Sequence, residues 1–96
     1  MGYQRAIQIA FREVEDSLVA VQKTRGELDA QTRQVEALRT YLELAQLRYE
    51  EGYISFIEVL DAQRSLFEAE TTQAQTQGRV FNSLVNLYKS LGGGWV

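Results

Sequence analysis

Every seventh residue from Ile7 onward is apolar or aromatic: Ile7, Val14, Val21, Leu28, Val35, Leu42 and Tyr49. A heptad position held this long is a coiled-coil signature, because such spacing keeps one stripe of a helix facing one neighbour. It predicts a helix over residues 3–51, roughly 70 Å long at 1.5 Å per residue. The companion row is read four residues on, as Phe11, Leu18, Arg25, Thr32, Arg39 and Gln46. That row starts apolar and becomes polar, so the seam is expected to be thick near the N-terminus and thinner beyond. Leu38, Tyr41, Ala45 and Leu47 widen the apolar face again before residue 51. Gly26 costs about 1 kcal/mol inside a helix. It fits a close approach by a neighbouring helix, a slight bend or a surface position.

The pattern breaks at Gly52 and restarts at once. Glycine suits the left-handed position that ends a helix. Ser55 suits the N-cap of the next helix, and Glu58 three residues later completes a capping box. Ile54 and Val59 are placed for a hydrophobic staple across that cap. The second helix is predicted over residues 56–91. Two adjacent rows on it are apolar: Leu60, Phe67, Ala74, Phe81, Tyr88, and Val59, Leu66, Gln73, Val80, Leu87. So wide a stripe implies neighbours on two sides, as in a helical bundle or barrel wall. Residues 71–78 are small and polar, so close, weak packing is expected there. Gly92, Gly93 and Gly94 are expected to stop the helix and lead into a tail over residues 92–96. The fold class is therefore all-α: one antiparallel two-helix coiled-coil hairpin spanning residues 1–96, with its tip at residues 52–55.

Two helices bury little surface per residue, and the first is predicted to overhang the second by about 15 residues. Partners are thus expected. The isolated chain should self-associate, most simply as a dimer forming a four-helix bundle. No apolar run is long enough to span a membrane, and no export signal opens the chain. If the parent is secreted, this chain is expected to be a segment of it.

Chemistry is hard to place on this chain. It has no cysteine and no histidine, which removes thiol nucleophiles, thiolate metal sites and the commonest general base. The Glu-x-x-His motif of helical-bundle metal sites is likewise missing. Glu58 and Asp61 lie three apart on one face, but a hairpin offers them no pocket. Neither an enzyme nor a cofactor site is expected. A net charge of −3 argues against nucleic acid as a partner. Charge distribution says more. Residues 1–48 balance seven basic against seven acidic side chains. Residues 49–70 carry six acids (Glu50, Glu51, Glu58, Asp61, Glu68, Glu70) against Arg64 alone. In a symmetric oligomer each acid becomes a ring, and a carboxylate ring at a constriction selects cations.

The stretch from Arg48 to Leu66, with Tyr49, Gly52, Tyr53, Ile54 and the run Glu58-Val59-Leu60-Asp61-Ala62-Gln63-Arg64, resembles the second periplasmic hairpin of the TolC/OprM-type outer membrane efflux channels. The ending from Leu87 to Trp95 and the start from Ala10 to Leu18 are similar to the ends of the same hairpin, so the resemblance covers nearly the whole chain. The resemblance implies a stave of a trimeric α-barrel, in an outer membrane protein of a Gram-negative bacterium. Each protomer would add four strands to an outer membrane β-barrel, and six hairpins would close the periplasmic tunnel. A periplasmic adaptor (membrane fusion) protein would dock tip to tip, and an inner membrane transporter would drive drugs or other small molecules through.

By the same resemblance, Gly52, Tyr53, Ile54 and Ser55 form the adaptor-docking tip. Tyr49, Glu58 and Asp61 match gate and constriction positions, and Arg64 matches a tip ion-pair position. Ile54 departs from the TolC-like pattern, which carries a basic residue there. Closure would then rest on apolar contacts and Tyr49. The competing expectation is a free-standing coiled-coil spacer, which the heptads alone fit equally well. The one-sided acids and the Gly52-to-Ala62 motif favour the channel.

Overall fold

In the computed structural model the backbone is described for residues 2–92, and side chains for residues 8, 9 and 11–92. The chain forms two helices, α1 (Gly2–Glu50) and α2 (Phe56–Gly92), joined by a short turn as an antiparallel hairpin. Both boundaries fall within a residue of those expected at the turn. Helix α2 continues through Gly92; Gly93, Gly94 and Trp95 lie outside the described residues.

The turn is built by the backbone. Gly52 has φ of 85°, a left-handed conformation that only glycine adopts cheaply. Its N–H donates to the Tyr49 carbonyl at 3.0 Å, and the Tyr53 N–H donates to the Arg48 carbonyl at 2.8 Å. This pair of bonds is a Schellman motif, which satisfies two carbonyls that the helix end leaves without partners. At the start of α2 the Glu58 N–H donates to the Ser55 carbonyl at 3.1 Å. The expected capping box differs here: the Ser55–Glu58 link runs through backbones, and both side chains face solvent. The staple position is filled, with Ile54 packed on the cluster of Ala45, Val59 and Ala62.

Contacts group the chain into two units, each containing parts of both helices: a turn unit, residues 28–75, and a terminal unit, residues 1–27 and 76–96. In the turn unit Val35, Ala45, Val59 and Ala62 are buried, with Leu28, Gln31, Leu38, Leu42, Leu66, Ala69 and Gln73 half-buried. In the terminal unit Val21 and Thr76 are buried, and Thr76 has no exposed surface. Polar contacts also join the helices there. The Ser17 and Ser90 hydroxyls lie 3.1 Å apart. Arg79 donates to Thr76 Oγ1 at 2.7 Å and sits 3.6 Å from a Glu27 carboxylate oxygen.

This burial pattern corrects the companion row. From Val14 to Leu42 the expected row does face α2, whereas Tyr49 at its end is exposed and the Ile7 side chain lies outside the described residues. The row's partner lies three residues on, not four: Ser17, Thr24, Gln31, Leu38 and Ala45. Phe11, Leu18, Arg25, Arg39 and Gln46 are exposed instead. On α2 the seam is Val59, Leu66, Gln73, Val80 and Leu87, beside Ala62, Ala69, Thr76, Ser83 and Ser90. Branched residues thus share the seam with small ones such as Ser17, Ala45, Ala62 and Ser90, which lets the helices approach closely. The other apolar row of α2 is uncovered, with Phe67 70% and Tyr88 79% exposed.

Gly26 and Gly52 should therefore respond oppositely to alanine. A Cβ at Gly26 meets open space within an uninterrupted helix. Gly26→Ala should raise stability by about 1 kcal/mol. Gly52→Ala should lower it by about 1–2 kcal/mol through the left-handed φ. Denaturant midpoints at one chain concentration check both.

Candidate functional site: the hairpin tip

The Schellman turn fixes where the tip side chains go. Tyr53 is 77% exposed, more than the neighbouring Phe56 or Ile57. Ser55, Phe56, Ile57 and the acids Glu50, Glu51, Glu58 and Asp61 are also exposed, whereas Ile54 is half-buried against the cluster beneath the turn. Of the four residues expected at a docking tip, then, Gly52, Tyr53 and Ser55 face outward and Ile54 anchors the turn. Tyr49 stands half open at the end of α1, and its ring meets Phe56 at the start of α2 with centroids 5.3 Å apart and planes tilted 53°. Tilted aromatic pairs of this kind are favourable beyond their area, by about 0.5–1.5 kcal/mol. The reading of the sequence did not single out Phe56. Its place at the first residue of α2, across the turn from Tyr49, was the available signal.

Helix α2 presents two different flanks beside its seam. At about 100° per residue, Glu58, Asp61 and Glu68 fall on one flank, and Phe56, Leu60 and Phe67 on the other. All six are exposed. Glu58 precedes buried Val59 and Asp61 precedes buried Ala62, so both carboxylates border the seam without entering it. Arg64 lies 3.9 Å from Glu68, one turn along α2, with both side chains over two-thirds exposed. A pair so open to solvent contributes about 0–1 kcal/mol. Nearer the middle of the turn unit, Arg39 reaches Glu70 across the helices at 3.7 Å.

Among the described residues no group of acidic side chains is arranged to hold a metal ion. The concavity lined by Gln34, Leu38, Ser65, Glu68, Ala69 and Thr72 is an open surface groove. No helix among the described residues is long and apolar enough to cross a membrane. What the tip offers is a rigid turn, an aromatic and aliphatic surface, and a row of carboxylates. Those suit recognition and ion control.

Comparison with known proteins agrees in kind. The family model described as outer membrane efflux protein matches residues 2–93. The solvent efflux pump outer membrane protein SrpC of Pseudomonas putida is 46% identical over 93 residues, 97% of this chain and 20% of that protein. The probable outer membrane lipoprotein SilC of Salmonella typhimurium is 40% identical over 97 residues, 100% of this chain and 21% of that protein. A crystal structure of CusC, from work on conformational changes accompanying folding and transmembrane channel formation, superposes with a TM-score of 0.86 at 38% identity. That match covers 94% of this chain and 26% of CusC. The chain thus spans about a fifth of the length of the curated relatives. Matched by the family model over nearly all its length, this helical hairpin belongs to the outer membrane efflux protein family, a family of transport components and not of enzymes.

Proposed function

We propose that this hairpin is a periplasmic stave of a trimeric efflux channel, and that its tip docks a periplasmic adaptor and gates the tunnel. The observation that carries the reading is the tip itself. A glycine-locked turn holds Tyr53 and Ile57 out into solvent, with Phe56 half open beside them against Tyr49. Exposed apolar side chains grouped on a rigid support are what a docking partner covers. The flanks of α2 support the stave role. The aromatic flank of Phe56, Leu60 and Phe67 suits a neighbouring helix of the barrel, and the acidic flank of Glu58, Asp61 and Glu68 suits the water-filled side. Across three protomers Glu58 and Asp61 then repeat as carboxylate rings. Tyr49 closes the gate together with Phe56, the contact available to a tip that has Ile54 in place of a basic latch residue. An inner membrane transporter completes the pump and sets which drugs or small molecules pass. Separated from its barrel, the chain covers its open faces with a second copy as a dimer.

Tyr53→Ala in the full-length channel should leave assembly and the stability of the trimer unchanged within about 0.5 kcal/mol, because the side chain touches little. It should reduce adaptor capture about tenfold or more, the size expected for a hot-spot aromatic. Gly52→Pro should abolish capture and efflux while circular dichroism of the isolated chain stays helical. Efflux at the parental level in Gly52→Pro cells would contradict the docking role.

The gate makes a separate prediction. Asp61→Asn removes one carboxylate per protomer without changing side-chain shape. Channels carrying it in planar bilayers should show a reversal potential shifted toward zero under a salt gradient, with lower cation preference. An unchanged reversal potential would place Asp61 away from the ion path.

A further inference from the structure

The seam of the turn unit has one layer that breaks its own rule. Between Val35 and the end of the unit, both helices place amides where the other layers place aliphatic side chains. Gln31 takes the row shared with Leu38 and Ala45, and Gln73 takes the row shared with Val59 and Leu66. Gln73 Nε2 donates to Thr32 Oγ1 across the helices at 3.1 Å, so this part of the layer is satisfied. Gln31 is not. Its Oε1 is buried and accepts no hydrogen bond from any described residue. A buried carbonyl oxygen without a donor loses its hydration and regains nothing, so it favours the open state of whatever buries it. The exposed Arg39–Glu70 pair on the turn side is too solvated to offset this. By contrast, the layers nearer the turn hold Val35, Ala45, Val59 and Ala62 buried, with Leu42 and Ile54 packed alongside.

We infer that the Gln31, Thr32 and Gln73 layer is a built-in weak point of the helix pair. The two helices separate at this layer while the apolar layers between it and the turn stay closed. The inference stands apart from adaptor docking, since it concerns how the hairpin opens and not what binds its tip. Its consequence is a tip segment that keeps its shape as a unit when the pairing behind it is loosened. A closed apolar seam throughout would resist that motion, and a uniformly polar one would let the tip itself come apart.

Amide hydrogen exchange on the chain, at a concentration where sedimentation shows one species, tests this directly. Gln31→Leu replaces the orphaned amide with an aliphatic side chain of similar size. It should slow exchange about tenfold at residues 28–34 and 70–75 and leave residues 42–48 and 58–64 unchanged, as removing one unsatisfied buried group predicts. Gln34→Leu, at an exposed site one turn away, controls for added hydrophobicity and should change neither region. Unchanged or faster exchange at residues 28–34 in Gln31→Leu overturns the inference. So does an equal slowing by Gln34→Leu, or a slowing spread evenly over both regions.

Discussion

The structure depends on one narrow seam that mixes branched and small side chains from both helices. Val21, Val35 and Val59 are buried where Ala45, Ala62 and Thr76 leave room for close approach of the two helices. These are the buried side chains among the described residues. With so narrow a core, each buried valine, worth about 1.5–3 kcal/mol, matters more than it would in a globular domain. The Schellman turn complements the seam. It sets the two helices side by side with a single glycine at the energetic limit of what other residues tolerate.

The same economy explains the surface. A two-helix seam one row wide cannot cover Phe67, Phe81 and Tyr88 on α2, or Tyr41, Leu44 and Leu47 on α1. Those side chains are large and apolar, and the chain leaves them open. In a free-standing protein they would be a liability. In the proposed channel they are the faces that neighbouring helices would cover. The acidic flank of α2 has the opposite character and, in the proposed channel, is the side that meets water and ions. The hairpin thus sorts its surface into a seam, an apolar flank and a charged flank.

Much of this was legible in the sequence, for reasons that can be named. The heptad row from Val14 to Leu42 marked the inward face of α1 correctly, because regular apolar spacing leaves few alternatives. Gly52 marked the turn because its conformation is available to glycine. The partner row was misread because size, not hydropathy, selects it. Ser17, Thr24, Ala62, Ala69 and Ser83 look unremarkable on a hydropathy scale, yet they face the seam. Phe11, Leu18 and Phe67 look like core and face outward. A strong apolar signal in a segment of a larger assembly reports burial somewhere, and its own helix partner is one of several candidates. At the tip, the glycine turn and the exposed residues around it were legible from the motif. The Tyr49–Phe56 contact was not, since it arises from the path of the turn. Likewise, the side-chain bonds of the capping box gave way to a backbone link between Ser55 and Glu58.

The central claim is that the tip meets a periplasmic adaptor end to end. The most direct measurement is photo-crosslinking in cells from a benzophenone amino acid, placed singly at residue 53, at residue 57 and at residue 36 in the full-length channel. Adducts to an adaptor from residues 53 and 57, with none from residue 36, are the predicted result. Adducts from residue 36 with none from the tip would contradict the account, and would move the partner from the end of the hairpin to its side.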